Sequence, residues 1–232
     1  MKTIGMIGGM SWESSVEYYR IVNEEINRRL GGVHSAKCLM YSVDFAEVEL
    51  LQKQSRWDEA TALMIDAAQR LEKGGADFVV ICTNTMHKMA DEMQRSLSIP
   101  LLHIADATAA EVHAAGLKKI GLLGTRFTME QDFYRGRLER HGLQVITPGE
   151  AERAVVHRVI YEELVLGKIL PQSRAEYARI IAGLVNQGAQ GVILGCTEIG
   201  LLVKPADSPV PLFDTTRIHA LAAVEVALSV NS

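Results

Sequence analysis

Gly75-Ala76-Asp77-Phe78-Val79-Val80-Ile81-Cys82-Thr83-Asn84-Thr85 and Gly188-Ala189-Gln190-Gly191-Val192-Ile193-Leu194-Gly195-Cys196-Thr197-Glu198 align from end to end without a gap. Each opens on Gly-Ala, passes two variable positions, runs through three apolar residues and closes on small and polar ones. Short, uninterrupted runs rich in β-branched residues suit strands buried in a parallel sheet. Whatever follows such a run lies at the carboxyl end of a strand, where open α/β sheets bind their ligands. The alignment pairs Thr83 with Cys196, Asn84 with Thr197 and Thr85 with Glu198. A hydroxyl and a thiol thus stand as quasi-symmetric partners.

Working outward, the same duplication extends along the chain. Lys2–Gly9 resembles Lys118–Thr125, and each is followed by a helix carrying Tyr-Arg, at Tyr19-Arg20 and Tyr134-Arg135. Gln54-Ser55-Arg56 is echoed by Gln172-Ser173-Arg174, and Pro100-Leu101-Leu102 by Pro211-Leu212-Phe213. Landmarks repeated in one order at nearly one separation indicate a long-period duplication rather than a solenoid. Strands alternate with helices in each half: Lys2–Ile7, Leu39–Val43, Phe78–Ile81 and Leu101–Ile104 in the first. Helices are expected from Ser11 or Trp12 to Leu30, from Ser55-Arg56-Trp57-Asp58 to Lys73, around His87–Ser96 and over Ala107–Ala115. Ser173-Arg174-Ala175-Glu176 fits a capping box, and Thr216–Leu228 is expected to close a domain as a final helix. The fold class is therefore α/β: two pseudo-symmetric parallel-sheet domains, residues 1–115 with 214–232 and residues 116–213. The short junction near Gly116 favours a site in a cleft between them.

The 232 residues carry a formal net charge of −4, with 48% hydrophobic and 22% charged residues. That is a globular composition without a run of like charge, which disfavours nucleic acid and membrane surfaces as partners. The N-terminus lacks a signal-peptide pattern. No segment approaches the roughly 18 apolar residues of a membrane span, so a cytoplasmic location is expected. Cys38, Cys82 and Cys196 are odd in number and lack metal-ligand spacing, so neither a disulfide framework nor a metal site is expected.

A free cysteine is usually a small buried hydrophobe, and Cys38 reads that way. Cys196 differs, because it ends an apolar strand between Gly195 and Thr197 and its duplicate position is also polar. Strand alternation sends Cys82 and Thr83 to opposite faces; the ungapped match puts Thr83 at the site and Cys82 in the core. An ordinary thiol has a pKa of about 8.5, so a modest local shift yields a usable thiolate. Asn84, Thr85, Thr197 and Glu198 could be helix caps, but two full polar triplets exceed what capping needs. The turns Gly8-Gly9-Met10-Ser11 and Gly124-Thr125-Arg126-Phe127-Thr128 offer backbone N–H groups suited to a carboxylate. Neither is a dinucleotide or Walker pattern.

Thr83-Asn84-Thr85-Met86-His87 and Gly195-Cys196-Thr197-Glu198, with those two glycine turns, resemble the cofactor-independent aspartate/glutamate racemase superfamily over the whole chain. One departure is clear: the family's first cysteine is Thr83, which resembles the subgroup specific for L-aspartate and L-glutamate with a Thr/Cys pair. The resemblance implies a racemase needing no cofactor that moves the Cα proton with two groups, Cys196 on the L face and Thr83 on the D face. It implies substrate contacts from Met10, Gln52, Asn84, Thr85, Thr125, Thr128, Lys168, Thr197 and Glu198. Gln52 and Lys168 would meet carboxylates, and His87 or Glu198 would tune the site. A homodimer is also implied. The amide at Gln52, where relatives carry an arginine, leaves a broad-specificity racemase open. A one-cysteine decarboxylating lyase and a carboxylate-binding protein are the further alternatives.

Overall fold

The computed structural model describes residues 1–229 and divides into two units, Met1–Ile104 with the chain from His219 onward, and Ala105–Ile218. The first contains β1 (Ile4–Gly8), α1 (Trp12–Leu30), β2 (Cys38–Ser42), α2 (Phe45–Lys53), α3 (Trp57–Lys73), β3 (Phe78–Ile81), α4 (Ala90–Arg95) and β4 (Leu101–Leu102). A 3₁₀ turn, Thr85–Met89, links β3 to α4. The second contains β5 (Lys119–Gly124), α6 (Arg126–Glu130), α7 (Asp132–Arg140), β6 (Gln144–Ile146), α8 (Glu150–Glu162), α9 (Pro171–Asn186), β7 (Gly191–Gly195), α10 (Ile199–Leu202) and β8 (Leu212–Asp214). The division falls inside α5 (Ile104–Ala114) and α11 (Thr215–Leu228) rather than at Gly116, so most of α5 counts with the second unit.

Both sheets are parallel and share one topology, β2-β1-β3-β4 and β6-β5-β7-β8. The Gly-Ala openings explain how each central strand is entered. Gly75 and Gly188 take φ of +94° and +93°, a left-handed conformation that glycine adopts freely. The following amides bond back into the preceding helix, Ala76 to Leu71 and Ala189 to Leu184, each at 3.0 Å. Ser11 caps α1 and Asp44 caps α2, as their side chains suggest. The expected capping box at Ser173 is not formed, because Pro171 opens α9 and leaves Ser173 inside the helix.

Side chains of the first sheet alternate between two cores. Phe78, Val80 and Cys82 pack with Ile4, Met6, Tyr18 and the α11 residues Ala220, Ala223 and Val224. Val79 and Ile81 pack with Met64, Ala67 and Ala68 of α3 on the other face. The C-terminal helix α11 thus covers one face of the first unit. No helix among the described residues is long and apolar enough to cross a membrane.

At the start of α11 within this unit lies His219, fully buried, its Nε2–H on the Leu102 carbonyl at 2.9 Å and its Nδ1 2.8 Å from the Tyr18 hydroxyl. Burial pushes its pKa down to about 4. The unfolded chain takes up this proton below about pH 6.5 and the native chain only near pH 4. Native stability is therefore lost as pH falls through that window, by about 3 kcal/mol in all. Urea midpoints at pH 7 and pH 4.5 for the wild type and His219→Gln, which keeps a donor for Leu102, should show a flatter acid slope in the variant. Equal slopes would mean His219 does not titrate between the two states.

Candidate functional site

Strand register decides which residues correspond. Gly5 pairs with Val79 in the first sheet, and Gly121 pairs with Val192 in the second. Gly5 and Gly121 hold the same place in the duplicated first strands, so Val79 matches Val192, Ile81 matches Leu194 and Thr83 matches Cys196. The edge strands agree: Val79 pairs with Leu101 and Val192 with Leu212. Cys82 is wholly buried in the first core, its thiol pushed far up in pKa by desolvation. Thr83, one residue on, is only partly buried.

In the second unit, Cys196 is 7% exposed and its Sγ lies 3.0 Å from Glu198 Oε2, to which it donates. Thr197 Oγ1 donates to the same oxygen at 2.9 Å. Glu198 precedes α10 yet makes no side-chain capping bond, so its carboxylate is turned back onto the thiol. Burial first, then the charge of Glu198 and its hydrogen bond, push the thiol well above its ordinary pKa; backbone N–H groups of Glu198 and Ile199 pull the other way. The push is upward, opposite to the expected shift toward a ready thiolate. Chemically, such an arrangement can serve as a relay: a carboxylate stands within hydrogen-bond reach to receive the thiol proton, and backbone N–H groups favour the thiolate left behind.

The carboxylate's part can be isolated. Glu198→Gln removes the neighbouring charge, so the pH midpoint for iodoacetamide alkylation of Cys196, read by peptide mapping, should fall. Activity that uses the relay should fall about ten- to a hundredfold through loss of the acceptor. An unchanged midpoint would remove Glu198 from the relay.

The glycine before the thiol is compulsory. A Cβ at Gly195 would stand 2.8 Å from the Leu123 carbonyl, and one at Gly124 would stand 2.8 Å from the Gly195 carbonyl. Thr128 packs its methyl against this crossing and is fully buried, its N–H bound to Thr125 Oγ1 at 3.3 Å. Thr125 caps α6. Both threonines, expected to contact substrate, are buried and shape the turn beside β7.

In the first unit, Asn84 and Thr85 are buried beside Thr83, and Asn84 makes no side-chain capping bond to the 3₁₀ turn. Gln52, on α2, is buried with Nε2 3.2 Å from Met86 Sδ, which brings it to the same turn. Met10, expected to contact substrate, packs with Ile7, Val48 and Met86. The glycine turn is also partly committed, since the Gly9 N–H donates to Ser15 Oγ at 2.8 Å. Lys168 is exposed after the left-handed Gly167, its backbone N–H on the Glu163 carbonyl at 2.9 Å. Among the described residues, no group of three His, Cys, Asp or Glu is arranged to hold a metal.

Two features were not anticipated from the sequence. One is the pair of amides beneath the thiol, which any strand-to-helix turn could supply and no residue type announces. The other is a buried histidine cluster, His87, His103 and His219, in which ring centroids lie 4.6 Å (His87 to His103) and 5.6 Å (His87 to His219) apart. Its members are remote in sequence.

Comparison with known proteins places these residues in context. The family described as Asp/Glu/Hydantoin racemase matches residues 7–223. A Yersinia pestis protein assigned as an Asp/Glu racemase is 56% identical in crystal structure, with a TM-score of 0.92 over 99% of this chain and 100% of that one. An aspartate racemase homologue from Pyrococcus horikoshii is 36% identical, with a TM-score of 0.84 over 99% of this chain and 100% of that one. The broad-specificity amino-acid racemase RacX of Bacillus subtilis is 30% identical over 179 residues, 75% of each chain.

Proposed function

The chain belongs to the Asp/Glu/hydantoin racemase family and is an amino-acid racemase, and from that premise we propose that it interconverts the enantiomers of acidic amino acids, L-aspartate and L-glutamate above all, without a cofactor. The observation that carries the reading is the register that makes Thr83 the counterpart of Cys196. Cys196 passes its proton to Glu198 and the thiolate takes the Cα proton from the L face. Thr83, or a water it holds, returns a proton on the D face. The charge that develops on the substrate carboxylate needs preorganised donors, and Asn84, Thr85 and Thr197 are the polar residues beside the two acid/base positions. Lys168, exposed on its loop, suits the side-chain carboxylate as a charge-assisted donor.

Incubation in D₂O tests the proposal: L-aspartate and L-glutamate should gain deuterium at Cα, and the D-enantiomers should accumulate. Equal exchange of neutral amino acids would move the assignment to a broad-specificity racemase. Tight binding without exchange would indicate a carboxylate sensor, and CO₂ release from a malonate a lyase.

A further inference from the structure

We propose that His87 is a positioning residue for Thr83: its imidazole, held in one tautomer by the Ile104 amide, fixes the Thr83 carbonyl and so aims the D-face hydroxyl. The proposal rests on the reading of Thr83 as the D-face group. His87 is 2% exposed, with Nδ1 2.8 Å from the Thr83 carbonyl and Nε2 3.2 Å from the Ile104 amide nitrogen. A carbonyl only accepts and a backbone N–H only donates, so the ring carries its proton on Nδ1 and its lone pair on Nε2. Neither nitrogen can change its role without setting like against like.

The anchor behind His87 is itself held. Ile104 supplies the amide, and two residues earlier the Leu102 carbonyl accepts from His219, whose other nitrogen meets the Tyr18 hydroxyl. The short segment Leu102–Ile104 is therefore bound at both ends by imidazoles, and its position is transmitted to Thr83 through one ring. The second unit does this differently. There the Cys196 carbonyl accepts from the Ile199 amide at 3.1 Å, whereas in the first unit the turn closes one residue later, from the His87 amide to the Asn84 carbonyl at 3.1 Å. The position matching His87 is Gly200, where a Cβ would stand 2.7 Å from Asp214 Oδ2. His87 is thus built for the threonine side of the pair alone.

Two isosteric variants separate its two bonds. Asn at 87 places an amide N–H where Nδ1 stands and keeps the bond to Thr83. Gln places its amide where Nε2 stands and keeps an acceptor for Ile104. Each loses one hydrogen bond, so a merely structural role predicts similar damage. In D₂O with L-glutamate, exchange with retention reports Cys196 and inversion reports Thr83. His87→Gln should lower the ratio of inversion to exchange by about tenfold, with exchange and KM nearly unchanged, and His87→Asn should hold the ratio within about threefold. Equal losses in both variants, a parallel fall of exchange and inversion, or an unchanged ratio in His87→Gln overturns the proposal. ¹⁵N shifts of the wild-type ring supply an arm independent of catalysis: protonated Nδ1 with bare Nε2 is expected, and the opposite tautomer overturns it. Wild-type protein that exchanges no amino acid overturns the racemase reading and with it the catalytic part of this role, while the ring shifts still decide the hydrogen bonds.

Discussion

Replacing Cys196 with serine is expected to cut Cα proton exchange from L-aspartate and L-glutamate by at least about a thousandfold, the upper part of what one positioned acid/base group supplies. The substitution is nearly isosteric, and the serine hydroxyl can still donate to Glu198 from the place where the thiol sits 3.0 Å away. Folding and ligand binding should therefore survive. What is lost is acidity: the thiol is already pushed upward by burial and by Glu198, and a hydroxyl starts far higher. The Glu198 and Ile199 amides that favour a thiolate cannot make up that difference. Cys82→Ser is the control, because Cys82 lies in the core between the first sheet, α1 and α11. A buried hydroxyl there should cost about 1–3 kcal/mol of stability and leave exchange intact. Exchange near the wild-type rate in Cys196→Ser would place the L-face base elsewhere.

Much of this was legible in the sequence, for a physical reason. A parallel strand buried on both faces must be apolar throughout, and a duplicated one shows its register wherever two copies can be laid together. Hence the two sheets, the match of Thr83 rather than Cys82 to Cys196, and the helix start at Ser11 could be read from residue type and order. The remainder depended on rotamers and on distant partners. The direction of the Cys196 shift turns on where the Glu198 carboxylate points, and a Thr-Glu pair before a short helix reads equally well as a cap. Met10 and Thr128 are buried by packing that their own segments do not announce. The unit boundaries lie inside α5 and α11, whereas sequence punctuation draws the eye to Gly116. His87, Ile104, His219 and Tyr18 are joined only by the fold.

Thr83→Cys is the complementary experiment, expected to raise proton washout from the D-enantiomers about ten- to a hundredfold. Enantiomers have equal free energies, so Thr83 cannot make the wild type a one-way catalyst, and kcat/KM must match in the two directions. The unequal pair shows itself in how exchange divides. L-substrates meet a thiol with a carboxylate acceptor at hand and should gain deuterium largely with retention. In the proposed mechanism, washout from D-substrates needs the hydroxyl of Thr83, almost never ionised near neutral pH, and should lag far behind. A thiol at 83 would follow β3 as Cys196 follows β7, since Val79 and Val192 pair with equivalent glycines of β1 and β5. Its surroundings would still differ, because the residue matching Glu198 is Thr85, a hydroxyl without charge. The new thiol would lack the upward push that Glu198 gives Cys196, but also its carboxylate acceptor, and should reach only part of the efficiency of Cys196. D-washout should therefore rise toward the L rate without equalling it, and should grow with rising pH as this thiol ionises. If the wild type already exchanges both enantiomers equally fast, or the variant leaves the asymmetry untouched, the D-face proton comes from a group other than Thr83.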